Sequence, residues 1–145
     1  MALESTIQVL NHLLAIHARS LATYLSYAQP EWHRGDEVAR ETLRSIVDDQ
    51  KATVDRLGEM ILEHNGTVLG NAFPMAFTNY HDLSFDFLCR KLIEHQRRDI
   101  IAIERCVREL SSSIFARAVA EEALGAAKAH LELLLKLKPW TASAA

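Results

Sequence analysis

The sequence predicts an all-α fold, a bundle of four helices, and three observations lead to this. Four long segments carry apolar residues at alternating steps of three and four, which is the spacing of one helix face packed in a bundle. Helix-breaking residues are few, with five Gly and three Pro among 145 residues, whereas 49% of the residues are hydrophobic. One long connection lies between two short ones, which favours a bundle with one long crossover. We therefore expect a single domain over residues 1–145.

The first two predicted helices are joined by a short connection. The first spans about residues 3–28 and ends before Pro30, because the residue that precedes a proline disfavours helix. The second spans about residues 36–64 and ends at Asn65-Gly66, a pair that commonly stops a helix. A short connection predicts that these two helices are antiparallel neighbours.

The last two predicted helices span about residues 82–110 and 113–138. The fourth is expected to end before Pro139, which leaves 139–145 as a loose tail. The connection over residues 67–81 separates the second and third helices and is long enough to follow the length of a bundle. The second and third helices should therefore run parallel.

Composition narrows the classes of function. A net charge of −3 gives no electrostatic reason to expect nucleic acid as a partner, and the apolar stretches are too short to span a membrane. The start of the chain lacks the pattern of a signal peptide. Cys89 and Cys106 are expected on one helix about 26 Å apart, too far for a disulfide. A cytoplasmic location is therefore predicted.

One polar residue lies near the middle of each apolar seam: His17, Gln50, Gln96 and His130. Polar side chains in such a seam cost free energy unless they are paired. A layer of two His and two Gln can satisfy its own donors and acceptors, and it would fix the register of the helices. Alternatively, His17 and His130 bind one metal ion together, with Glu94 as a nearby acid. Two neutral imidazoles suit a single Zn or Cu ion.

Short patches of the sequence resemble the ferritin-like superfamily, which includes ferritins, bacterioferritins and rubrerythrins. The patches resemble the first and second helices of bacterioferritins: Leu10-Asn11-His12-Leu13-Leu14, residues 21–28 with Tyr24, Ser45-Ile46, Asp55-Arg56-Leu57, and Ile61-Leu62 ahead of Gly66. The resemblance covers residues 3–138. It implies a ferritin-like four-helix bundle with one long crossover between helices two and three.

The family is characterised by a di-iron centre, with a Glu from each of two helices and a Glu-x-x-His pair from each of the other two. The positions that match this signature are His17 in the first helix, Gln50 and Thr53 in the second, Gln96 in the third, and Ala127 and His130 in the fourth. No carboxylate stands at any of them, so the signature is degenerate. A shifted alignment would make Asp49 or Glu94 the intended acid, although it would also turn the apolar seams away from the core.

The resemblance and the degenerate signature together favour a ferritin-like protein without a di-iron centre. Such a protein would be a non-catalytic binding or structural module without a cofactor. It would form a homodimer, and its partner would be a protein or a small molecule. The alternative is a metal-dependent oxidoreductase or iron-handling protein with an atypical Zn or Fe centre at His17, His130 and Glu94. Whether a carboxylate reaches the middle of the bundle separates the two. The alanine-rich fourth helix also leaves room for a small-molecule cavity.

Overall fold

The computed structural model describes residues 2–28, 37–70, 72–80 and 85–143. The described residues form an all-α structure, as the periodicity predicts. Its α-helices are α1 (Ala2–Ala18), α2 (Leu21–Ala28), α3 (Glu37–Glu63), α4 (Phe85–Glu109) and α5 (Ile114–Ser143), and a 3-10 helix spans Met75–Tyr80. None of the helices in these ranges combines the length and the apolar character that a membrane crossing requires.

The first predicted helix is broken, and the expectation of one helix over residues 3–28 was wrong. α1 ends at Ala18 and α2 begins at Leu21. Ser20 caps α2, because its Oγ accepts a hydrogen bond of 3.1 Å from the backbone N–H of Thr23. A serine that bonds the nearby backbone offers it an alternative to a continuous helix, and periodicity alone does not reveal this.

The last helix does not end before Pro139, so the predicted end at residue 138 and the predicted loose tail were wrong. The helical backbone of α5 continues to Ser143. Proline has the φ angle of a helix, and its cost there is the loss of an N–H donor and crowding of the preceding turn. α3 and α4 each end one residue before the predicted ends at 64 and 110, whereas the predicted starts at 36 and 82 lie outside the described residues.

Two apolar clusters divide the core along the length of the helices. One joins α1 to the C-terminal halves of α3 and α4 and the first half of α5, and it includes Leu10, Leu13, Leu57, Ile61, Ile103, Cys106 and Ala120. The other joins α2 to the N-terminal halves of α3 and α4 and the second half of α5, and it includes Leu21, Leu25, Leu43, Ile46, Leu88, Cys89 and Leu134. Because matching halves of α3 and α4 share a cluster at each end, these two helices run in the same direction.

The connection between α3 and α4 is held against the helices. Asn11 of α1 donates from Nδ2 to the Thr67 carbonyl and accepts at Oδ1 from the Leu69 N–H, both at 3.0 Å. Further along, the Phe77 side chain is only 3% exposed and packs in the second cluster. Met75 is instead 83% exposed. The connection is therefore anchored to the helices at Phe77, whereas the Met75 side chain lies in solvent.

The stop at the end of α3 was predicted correctly. Asn65 adopts a left-handed backbone conformation with φ 60°, and the Gly66 N–H donates to the Ile61 carbonyl at 2.8 Å. This is the arrangement with which many helices end. A Cβ atom on Gly66 would lie 2.9 Å from the Cγ2 atom of Ile7, so a side chain there would force α1 and the end of α3 apart.

Candidate functional site

The four polar seam residues line one small cavity in the core. The exposed fractions are 5% for His17 and His130, 4% for Gln50 and 6% for Gln96. The cavity has a volume of about 10 Å³, which is the space of one water molecule or a group of that size. Its other lining residues are Ile16, Thr53, Asp99, Ile103, Ala123, Ala126 and Ala127.

Gln50 is held by the break between α1 and α2. Its Oε1 atom accepts hydrogen bonds from the Ser20 hydroxyl at 2.7 Å and from the Thr23 hydroxyl at 3.1 Å. Both hydroxyl groups are buried. The residues that cap α2 therefore also fix the amide of Gln50, which leaves its Nε2 atom as the donor available to the cavity.

Gln96 connects α4 to α5. Its Nε2 atom donates to the Ala127 carbonyl at 2.9 Å, and both residues are buried. This bond identifies the positions of the nitrogen and the oxygen of the Gln96 amide, because a carbonyl oxygen only accepts and its partner must be the NH₂ group. Gln96 Oε1 is consequently left as an acceptor in a residue that lines the cavity.

His17 presents a lone pair to its surroundings. Its Nδ1 atom lies 2.9 Å from the Leu13 carbonyl oxygen, so Nδ1 carries the hydrogen. Burial lowers the pKa of His17; the bond to Leu13 opposes that shift and the nearby His130 adds to it. The ring is therefore neutral near pH 7, and its Nε2 atom is an acceptor.

His130 is oriented from outside the core. Its Nε2 atom lies 2.8 Å from Asp49 Oδ2, and a carboxylate only accepts, so Nε2 carries the hydrogen. The Asp49 side chain is 58% exposed, whereas that of His130 is 6% exposed. Asp49 thus reaches the polar residues through His130 and does not line the cavity. In its neutral form, His130 has an acceptor at Nδ1.

Glu94 lies away from the cavity, so its proposed role beside His17 and His130 is wrong. Its carboxylate pairs with Lys91 Nζ at 3.3 Å and with Arg98 Nη2 at 2.8 Å, and its side chain is 43% exposed. The hydrogen bond and charge of Lys91, followed by the charge of Arg98, lower the pKa of Glu94. These surface cations hold the Glu94 carboxylate in solvent.

Asp99 is the carboxyl group that does reach the cavity, and the sequence did not single it out. It lies three residues after Gln96 on the same face of α4. Burial raises the pKa of Asp99 to about 7, against the opposing charge of Arg98. The spacing of three residues from Gln96 is the feature of the sequence that could have identified Asp99 as a residue of the site.

The residues present do not fit a di-iron centre. Two iron ions need several anionic oxygens, and the matched positions supply two imidazoles, two amides, a threonine and an alanine. Asp99 adds one carboxyl whose raised pKa disfavours its charged form. Among the described residues, no three His, Cys, Asp or Glu side chains form a group that could hold a metal ion.

The cavity is rich in hydrogen-bond acceptors. After the bonds described above, the remaining acceptors are His17 Nε2, Gln96 Oε1 and, in the neutral ring, His130 Nδ1, whereas the remaining amide donor is Gln50 Nε2. The Asp99 carboxyl accepts when it is ionised and can also donate when it is protonated. No fully buried polar side-chain atom of the described residues lacks a partner. The remaining atoms therefore open onto accessible space, and their residues share this cavity.

A groove lies next to the cavity, at the break between α1 and α2. Its volume is about 280 Å³, and it shares His17 and Gln50 with the cavity. Its other lining residues are Ala18, Thr23, Tyr27, Lys51, Val54 and Asp55. His17 and Gln50 thus line both the interior space and the space outside it.

Comparison of the chain with protein-family models, with curated proteins and with solved structures found no match. The resemblance to ferritin-like proteins therefore stays a prediction from the sequence.

Proposed function

We propose that this chain is a ferritin-like four-helix bundle without a di-iron centre, acting as a non-catalytic binding module. α1 and α2 together would form the first helix of the bundle, and the connection from α3 to α4 would be its long crossover. The shared direction of α3 and α4 supports this topology.

The observation that carries the proposal is the chemistry of the central cavity. His17, Gln50, Gln96 and His130 each hydrogen-bond to a described protein group, and the carboxyl that accompanies them is Asp99. Such a set lacks the anionic oxygens that would balance two iron ions. It retains polar residues that line a space of about 10 Å³, which suits recognition of a small polar group.

Anaerobic loading with iron(II), followed by exposure to oxygen, tests the proposal. We expect the protein to oxidise iron(II) no faster than buffer and to retain less than stoichiometric metal after desalting, whereas a ferritin in the same assay oxidises iron rapidly. Iron oxidation or stoichiometric metal that disappears in the His17→Ala/His130→Ala variant would overturn the proposal and favour the metal-dependent oxidoreductase. Circular dichroism of the variant confirms that it remains helical.

We further propose that the protein forms a homodimer through an exposed apolar surface. Ile114 and Phe115 at the start of α5 are each 81% exposed, which is unusual for adjacent large apolar side chains. Light scattering after size-exclusion chromatography should give twice the 16.3 kDa of one chain. Phe115→Glu should shift the mass to that of a monomer. A wild-type monomer would contradict this proposal.

A further inference from the structure

The cavity and the groove together have the character of a site for a molecule with a small cationic head and an apolar body. The cavity fits a head of the size of a water molecule. Its remaining atoms are mostly acceptors, so a head that brings several N–H donors would satisfy them. A primary ammonium group is about that size, carries a positive charge, and has three donors.

Charge inside the cavity favours a cation. Asp99 is the one carboxyl among the lining residues, and it has no hydrogen bond to another described residue. Burial raises the pKa of Asp99 although the charge of Arg98 opposes the shift, and an ammonium group beside the carboxyl would favour its ionised form. The ion pair would be desolvated on both sides, so hydrogen bonds from the ammonium group to the other acceptors are needed to stabilise it.

The groove can hold the remainder of such a molecule. Ala18, Tyr27 and Val54 give it apolar surface, and its volume of about 280 Å³ accommodates a short alkyl chain. Asp55 and Lys51 oppose each other in charge there, so the groove adds little net charge of its own. His17 and Gln50 line both spaces, and the helix is interrupted next to His17, between the end of α1 and the start of α2.

We propose that this site binds primary alkylammonium compounds, with the ammonium group in the cavity among His17, Gln96, Asp99 and His130, and with the alkyl chain in the groove beside Tyr27 and Val54. This inference rests on the proposed function as a binding module and names the ligand class. It assigns separate tasks to the two spaces: the cavity selects the charged donor, and the groove selects the chain.

Calorimetric titration with n-butylammonium chloride at about pH 8, above the pKa of Asp99, tests the proposal. N,N,N-trimethylbutylammonium is the matched probe, because it has the same charge and chain but no N–H donors and a larger head. We expect binding of the primary compound, at least tenfold weaker binding of the quaternary compound, and at least tenfold weaker binding of n-butylammonium by Asp99→Asn. Asp48→Asn, an exposed carboxylate outside both spaces, should bind like the wild type.

Two outcomes would overturn the inference. The first is equal binding of both probes, which would place the cation in the groove alone. The second is absence of binding by a wild-type protein that is folded by circular dichroism. In the second case, an inactive iron assay leaves the proposed function standing, so the two failures are distinguishable. Ring ¹⁵N resonances of His17 and His130 add an independent readout, because both should shift with the primary compound and neither with the quaternary one.

Discussion

The substitution Asp99→Asn should affect the free energy of unfolding more favourably at alkaline pH than at acidic pH. Burial raises the pKa of Asp99 from its ordinary value of 3.8 to about 7. One unit corresponds to about 1.4 kcal/mol, so ionised Asp99 lowers the free energy of unfolding by at most about 4 kcal/mol. Asparagine keeps the shape of the side chain and has no charge to desolvate, which removes this loss.

The direction follows from proton binding in the two states. The unfolded chain releases the Asp99 proton near the ordinary pKa, whereas the folded chain holds it until about pH 7. The contribution of Asp99 to stability is therefore fully present below about pH 4, and it is lost as the pH rises through about 7. Protonation of His17, whose pKa is lowered, acts in the opposite sense below its ordinary pKa, but it occurs in both proteins.

Urea unfolding of the wild type and of Asp99→Asn at about pH 5 and about pH 8 measures the effect. The free-energy difference between variant and wild type should increase by up to about 3 kcal/mol from the lower to the higher pH. Asp48→Asn should show no comparable change, because the side chain of Asp48 is exposed. Parallel pH profiles of Asp99→Asn and the wild type would refute the reasoning, because they would mean that Asp99 is not desolvated.

Three further substitutions test how the site is held in place. Ser20→Ala should lower the free energy of unfolding by about 1–2 kcal/mol, because it removes the cap of α2 and a hydrogen bond to Gln50. Ser45→Ala, at an exposed serine, should change the free energy of unfolding by less than about 0.5 kcal/mol. Equal effects of the two substitutions in urea unfolding would argue against the cap. Asn11→Ala should cost about 1–3 kcal/mol and speed amide exchange at the start of the long connection, and unchanged exchange there would contradict the role of Asn11. Gly66→Ala should lower the stability measured by thermal unfolding by about 1–3 kcal/mol, because the new Cβ atom would lie 2.9 Å from a side-chain carbon of α1. A Gly66→Ala variant as stable as the wild type would show that α1 and the end of α3 can separate without cost.

The helices could be predicted because their apolar spacing is regular over many turns. The stop after α3 could also be predicted, since Asn65 and Gly66 act through local backbone geometry. The break before α2 could not, because the apolar seam continues through it and the decisive bond is from the Thr23 N–H to Ser20 Oγ. Periodicity reports which face is buried, and it does not report a cap within that face.

For the polar residues around the cavity, too, one part could be predicted from the sequence and another could not. His17 and Gln96 could be singled out as polar positions within apolar seams, and both are buried. Their partners could not be predicted, because the bonds go to backbone carbonyls and not to one another. Asp99 and Glu94 are five residues apart on α4, and only the tertiary packing decides which of the two carboxyls is buried.

The two cysteines are natural probes of local unfolding at the two ends of the structure. Cys89 and Cys106 are unpaired and fully buried, one in each apolar cluster. Burial raises the pKa of each thiol to about 11, with nearby acidic groups adding to the shift. A thiol reagent can therefore label either cysteine only when its own cluster opens. The rates of labelling at the two positions, resolved by peptide mass spectrometry, would show whether the two ends open together or separately, and the experiment needs no mutation.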